Sequence, residues 1–294
     1  MTDHTSPVRV AVIIPAAGSA SRYIEGGAVR HKLDEDLGGK PVLQRTLETF
    51  TKFDSDEVSI ADIIVAGPHN DDALSDFKLR HADRLALLGA RIVRGGAIHR
   101  WQTVAAALTH VAADCPLIAI HDAARPCVPF DVLHRVFRAA RRHGAAIPAV
   151  PATDTLKRTT ARDAAHTAPN SATANAQPDA FDRAAAILGI SHTPQDVRVV
   201  ERTLPREHVV AVQTPQCFDA ALLRKAYDAI ASIPQAEHAS ITDDASLVER
   251  LGAPVVVVEG DPRNIKITRP ADIDLARALM GFRAPEGRAT HKKF

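Results

Sequence analysis

Seven short runs in this chain, at residues 8–14, 60–66, 90–93, 117–121, 145–150, 209–212 and 254–258, are apolar at almost every position rather than at every second one. A strand apolar on both sides has both faces covered, the usual condition of a parallel sheet wrapped by helices. Helix-like stretches separate the runs, at 41–52, 71–88, 100–113, 129–143, 219–232, 243–251 and 270–280. Pro41, Pro129 and Pro270 stand near helix starts, where a missing N–H costs nothing. The alternation predicts an α/β fold, a mostly parallel sheet with helices on both faces. Ligands of such sheets bind beyond the carboxyl ends of the strands. The loops that follow the runs are therefore where a site is sought.

Composition narrows the function classes. At 294 residues a sizeable core can be buried, and an apolar content of 46% argues against disorder. A formal net charge of +1 does not suit a general nucleic-acid surface, and nine Phe, two Tyr and one Trp offer little for base stacking. No run approaches the roughly 20 apolar residues that span a bilayer. Cys115, Cys127 and Cys217 are isolated and odd in number, which fits a reducing compartment. Met1 to Pro7 lacks a signal-peptide profile, so a soluble, cytoplasmic protein is expected. One segment, 159–197, is rich in Ala, Thr, Asp, Pro and Asn and reads as a flexible surface loop with one short helix at 184–188.

The first run empties into a loop of small residues, Ala16-Ala17-Gly18-Ser19-Ala20-Ser21, closed by Arg22 and followed by Lys32. Small side chains let a ligand reach the main chain, and successive N–H groups in such a loop cradle phosphate oxygens. Arg22 and Lys32 would neutralise those oxygens from the side. The loop is not a P-loop, since no Gly-Lys-Ser/Thr follows, and it lacks the dinucleotide pattern G-x-G-x-x-G. Its structural alternative is a strand-to-helix turn with Gly18 at positive φ.

Further motifs end the other runs. Gly95-Gly96 would let a nucleoside sit against backbone, with the Thr103 hydroxyl on ribose or base; a plain glycine turn is the alternative. Asp122, in His121-Asp122-Ala123-Ala124-Arg125-Pro126, is placed to hold Mg²⁺ on a triphosphate, or else to pair with Arg125. His121 reads as a positioned structural residue, since the 14 histidines show no metal-ligand spacing. Thr155 and Arg202 offer a hydroxyl and a planar cation for a phosphate monoester, or are surface groups on a hairpin. Thr242 reads as a helix N-cap with a possible second role toward a sugar hydroxyl. Lys266, between Ile265 and Ile267, is either a solvated lysine or a cation reaching back over the first loop.

Taken in order, Ala16-Ala17-Gly18 with Arg22 and Lys32, Gly95-Gly96 with Arg100 and Thr103, the His121–Pro126 motif, Asp154-Thr155-Leu156-Lys157-Arg158, Glu201-Arg202 with Gln213-Thr214-Pro215-Gln216, Thr242-Asp243-Asp244-Ala245 and Asn264-Ile265-Lys266-Ile267-Thr268 resemble one family. It is that of the 2-C-methyl-D-erythritol 4-phosphate cytidylyltransferases of the non-mevalonate isoprenoid pathway. The resemblance covers about residues 8–279 apart from 159–197. It implies a Rossmann-like core with a protruding β-arm, and a homodimer in which arms exchange. Ala16, Ala17 and Gly18 would face CTP through their backbone, and Gly96 and Thr103 would hold the cytidine. Arg22 and Lys32 would bind the triphosphate and the transition state, Asp122 would support Mg²⁺, and Lys266 would bridge both substrates. Thr155 and Arg202 would hold the methylerythritol phosphate bound to the partner subunit, and Thr242 would contact the same substrate. The chain departs from the family at Ala20, where a second glycine is usual, and at His31, where proline is usual. Arg30 is the rival to Lys32 on that connection.

The organisation this implies is one nucleotidyltransferase domain over 8–281, with arm and insertion at about 151–213 and flexible termini at 1–7 and 282–294. The implied activity transfers a cytidylyl group from CTP to 2-C-methyl-D-erythritol 4-phosphate, giving the CDP-alcohol and pyrophosphate. A ribitol-5-phosphate cytidylyltransferase and a non-catalytic nucleotide-binding module are the alternatives. Neither nucleic acid nor membrane is an expected partner.

Overall fold

The computed structural model describes residues 6–160 and 198–282. Residues 161–197 of the 159–197 segment, with its expected helix, and most of both expected flexible termini fall outside those residues. In chain order the elements are β1 (Val8–Pro15), α1 (Ser21–Glu25), α2 (Val42–Thr51), β2 (Val58–Gly67), α3 (Asp71–Ala86), β3 (Ala90–Arg94), α4 (Arg100–Leu108), β4 (Leu117–Ile120), α5 (Phe130–His143), β5 (Ala145–Pro151), β6 (Leu156–Thr159), β7 (Val200–Leu204), β8 (Val210–Val212), β9 (Gln216–Asp219), α6 (Ala220–Asp228), α7 (Ala245–Arg250), β10 (Val256–Glu259) and α8 (Ala271–Leu279). The chain divides into two compact units, one holding everything up to Val150 and from Val212 onward, the other Pro151–Ala211.

In the first unit seven strands lie in the order β10-β5-β9-β4-β1-β2-β3. β1 pairs in parallel with β2 and β4, β2 with β3, and β5 with β10. Only β9 among these seven runs antiparallel to its neighbours, β4 and β5. The apolar run of 8–14 has its explanation in β1. Val10, Val12 and Ile14 enter a core shared with α2, α5 and α8, while Ala11 and Ile13 enter a second core shared with α4, α6 and α7. All five are fully buried, and burying each Val or Ile side chain contributes about 1.5–3 kcal/mol. The mostly parallel, doubly covered sheet expected from the sequence is the observed one, and it is Rossmann-like.

Local chemistry sets the helix ends. The Asn70 side chain accepts from the N–H groups of Asp72 and Ala73 at the start of α3. Gly144, at φ 85°, ends α5 and turns the chain straight into β5. Two expectations need correction. Residues 209–212 are not a buried core strand: β8 is short and exposed along its length. The buried strand is β9, which has only two apolar residues, Cys217 and Phe218, and so lacks the run that signals a strand.

The second unit contains an antiparallel ribbon, β6 with β7, in which Leu156 faces Leu204, Lys157 faces Thr203 and Arg158 faces Arg202. Beyond it the Thr160 N–H donates to the Val199 carbonyl at 2.9 Å. No described helix is long and apolar enough to cross a membrane.

Candidate active site

The loops after β1, β3 and β4, with the segment after β10, line one cavity of about 410 Å³, a volume in the range of small-molecule sites. The first loop supplies Ala16, Ala17, Gly18 and Ser19. The Ala16 N–H is committed to the Ala66 carbonyl at 2.8 Å, which continues the sheet. The N–H groups of Ala17, Gly18 and Ser19 have no partner among the described residues. The left-handed residue of this loop is Ala20, at φ 55° and ψ 31°, not Gly18. The turn keeps a glycine-like shape without the glycine.

Across the cavity, the Gly96 N–H donates to the Thr103 hydroxyl oxygen at 3.2 Å. A Cβ on Gly96 would run into Gln102, and one on Gly95 into the Gly67 carbonyl. These glycines are thus required by close packing, and the first duty of Thr103 is to hold their loop. Both Gly96 and Thr103 line the cavity.

Asp122 sits at the end of β4 with its side chain almost buried. Its Oδ2 lies 2.9 Å from Lys266 Nζ and 3.3 Å from Arg125 Nε, and Oδ1 lies 3.8 Å from Arg100 Nε. Burial alone would raise this carboxyl, but Arg100, Lys266 and Arg125 outweigh it and hold Asp122 well below the usual carboxylate range. The pairing with Arg125 is therefore real, and Lys266 reaches back over the site rather than standing free in solvent. Thr214 accepts from the Asp122 N–H at 3.0 Å and bonds His121 Nδ1 at 3.1 Å. His121 Nε2 donates to the Arg125 carbonyl at 3.0 Å, and burial pushes the ring's pKa down to about 4, which leaves it neutral and structural.

The segment carrying Lys266 is stitched to the same network. Asn264 is fully buried and donates to the Thr214 carbonyl at 2.8 Å, while its own carbonyl accepts from Arg125 at 2.6 Å. The Ile267 N–H donates to the Ala124 carbonyl at 2.8 Å, and the Ile267 carbonyl accepts from Lys32 Nζ at 3.2 Å. Lys32 and Lys266 therefore meet. Burial first, then the neighbouring Lys266 charge, pushes the Lys32 ammonium below its ordinary value, with Arg22 adding to the effect against Asp122. Lys32 lines this cavity, whereas Arg30 lines a separate one of about 550 Å³.

Four expected residues lie outside the cavity lining. Arg22 is on the exposed face of α1, near enough for its charge to reach Lys32. Thr242 is exposed and does not cap α7; Asp243 accepts from the Ser246 N–H at 3.1 Å in its place. Thr155 and Arg202 are exposed in the second unit. Arg202 faces Arg158, three residues beyond Thr155, or about 10 Å along the strand. The sequence reading assigns no role to Arg100, which lines the cavity and joins Asp122 to the buried Asp244 at 2.6 Å. Its place in the first turn after the glycine pair is the signal that could have found it.

A Rossmann-like sheet whose first strand opens into a small-residue loop, facing two lysines and one carboxylate, defines a nucleotidyltransferase. Residues 10–196 and 170–282 match the family described as 2-C-methyl-D-erythritol 4-phosphate cytidylyltransferase, and the chain belongs to that family. It is 34% identical over 278 residues to the cytidylyltransferase of that name from Solibacter usitatus, covering 93% of this chain and 96% of that one. The one from Symbiobacterium thermophilum is 38% identical over 274 residues, covering 93% of each. Among solved structures, that of the Thermus thermophilus cytidylyltransferase is similar with a TM-score of 0.60 and 32% identity, over 92% of this chain and 98% of that one.

Proposed function

We propose that the chain transfers the cytidylyl group of CTP to 2-C-methyl-D-erythritol 4-phosphate and releases pyrophosphate. The observation that carries this is a charge imbalance over one cavity. Lys32, Lys266 and Arg100 line it together with Asp122, Arg125 stands behind on Asp122, and the buried Asp244 pairs with Arg100, so four cations face two carboxylates. A polyphosphate is the natural complement to such a site, and the unpaired N–H groups of Ala17, Gly18 and Ser19 suit its oxygens.

A phosphate monoester is already largely ionised near neutral pH, so attack of its oxygen on the α-phosphorus of CTP needs no general base. Catalysis is then positioning plus charge stabilisation. Arg22 and Lys32 hold the triphosphate, Lys32 and Lys266 take up charge at the reacting phosphoryl group, and Gly96 and Thr103 hold the cytidine. Thr242, with Thr155 and Arg202 from the arm of a second copy in a homodimer, holds the alcohol phosphate. A divalent ion such as Mg²⁺ fits this site: Asp122 is ionised, and its Oδ1 has only the 3.8 Å approach of Arg100. Among the described residues no group of three or more His, Cys, Asp or Glu gathers to cage an ion, which suits a metal shared between one carboxylate and substrate phosphates. When bound, it would neutralise phosphate charge. Three free cysteines accord with a cytoplasmic setting.

The test is pyrophosphate release from CTP and Mg²⁺ with 2-C-methyl-D-erythritol 4-phosphate, run beside ribitol 5-phosphate. Turnover of the first supports the reading. Turnover of ribitol 5-phosphate alone gives the substrate to the alternative, and CTP binding without pyrophosphate makes the chain a binding module. Lys266→Ala is expected to lower kcat about 10²–10³-fold. The fold should survive, because Asp122 keeps Arg100 and Arg125. A near-normal rate removes Lys266 from the reaction.

A further inference from the structure

We propose that His31 is a positioning residue that clamps the phosphate loop, through a hydrogen bond from its Nε2–H to the Gly18 carbonyl, and so sets the affinity for the triphosphate of CTP. The ligand named here rests on the function proposed above; the clamp itself rests on geometry. His31 Nε2 lies 2.9 Å from the Gly18 oxygen, and the Leu33 N–H lies 3.3 Å from His31 Nδ1. A carbonyl only accepts and an N–H only donates. The ring is therefore held as the neutral Nε2–H tautomer, anchored at one nitrogen and donating at the other.

What the clamp does follows from the peptide unit. Among the described residues Ala17, Gly18 and Ser19 have no main-chain partners, and two of them have side chains no larger than a methyl group, so little within the loop fixes its peptide planes. In a trans peptide the C=O and the following N–H point in opposite directions. Pinning the Gly18 carbonyl therefore also sets the direction of the Ser19 N–H. The bond also covers an acceptor oxygen on a wall that an anion must approach. His31 precedes Lys32, so one side chain sets the loop and the cation in register. Both His31 and Gly18 line the cavity. The charged groups facing the ring are Lys32, Asp34 and Arg80, and burial pushes it below the ordinary histidine value, which keeps it neutral at working pH.

Two variants and one spectrum test this. His31→Phe keeps the ring volume and removes both nitrogens; His31→Gln presents an amide N–H at about the reach of Nε2. Losing one such bond should raise KM for CTP roughly three- to tenfold, with kcat and the KM of the alcohol phosphate unchanged. His31→Gln should return KM to within about twofold of the parent. If the two variants behave alike, or both KM values move together, the ring is only packing and the proposal is overturned. Nitrogen NMR of the ring in the nucleotide-free protein should show an unprotonated Nδ1 and a protonated Nε2. The other tautomer, or a mixture of the two, overturns the clamp even in an active enzyme. A clamped ring in a protein that releases no pyrophosphate sustains the clamp and defeats the functional reading instead.

Discussion

Ala20 occupies backbone space that side chains avoid, because its Cβ crowds the following carbonyl at φ 55°. That conformation costs about 1–2 kcal/mol for an L-residue, against about 0.4–1 kcal/mol of extra unfolded-state entropy carried by a glycine. Ala20→Gly is therefore expected to stabilise the protein by about 0.5–1 kcal/mol. Its urea midpoint should rise with the slope unchanged, and a lowered midpoint would contradict this account. Single residues were legible in the sequence to different degrees. The carboxylate at Asp122 and the small-residue loop stand out because strand ends are where such groups act. Lys266 did not declare its direction, since the alternation of Ile265, Lys266 and Ile267 mimics a strand. The segment is irregular, and its course is fixed by Asn264 and by the Ile267 N–H on the Ala124 carbonyl. His31 was visible only as an odd residue, because its role depends on a carbonyl brought to it by the fold.

Among elements, α4 and α7 are joined by a buried strut. Arg100 on α4 meets Asp244 at 2.6 Å, and the Tyr227 hydroxyl on α6 donates to the same carboxylate at 2.5 Å. Burial, then Asp244, drives the Tyr227 hydroxyl well above its usual pKa, so it stays a donor. Tyr227→Phe keeps the ring but leaves Asp244 short of a partner inside the protein. A loss of about 1.5–3 kcal/mol in unfolding free energy is expected, read by chemical denaturation, together with a raised KM for CTP if the strut aims Arg100. A variant as stable as the parent would show that the hydroxyl is dispensable. The parallel strands were readable from their apolar runs, the central ones because both faces are covered, although the edge strand β10 leaves Val257 exposed. β9 was not, since it sits between β4 and β5 and its neighbours' hydrogen bonds define it more than its own side chains do. The strut was equally hidden, being made of charges that the sequence gives no reason to pair.

For the whole molecule, the fully buried His121 links folding to proton uptake. Its folded pKa of about 4 lies below the unfolded value of 6.5. As pH falls through 6.5, the unfolded chain takes the proton first and the native state does not. Stability is therefore complete above 6.5 and declines until about pH 4, by about 3 kcal/mol from this group. His121→Asn should flatten that part of the stability curve, measured by denaturation at several pH values; an unchanged slope would assign the loss to other groups. At this scale the sequence carried the order of the motifs, and those at the ends of β1, β3 and β4 are the ones that meet around the cavity. It carried nothing about which cation meets which oxygen, which the packing of two cores around the sheet decides.

The bridge from Thr160 to Val199 has one more consequence. It brings the two ends of the residue 161–198 stretch to within a single hydrogen bond of each other, on the ribbon formed by β6 and β7. Thr160→Pro, which removes that N–H, should therefore cost the ribbon its last rung while leaving the pairs from Leu156 to Arg158 in register.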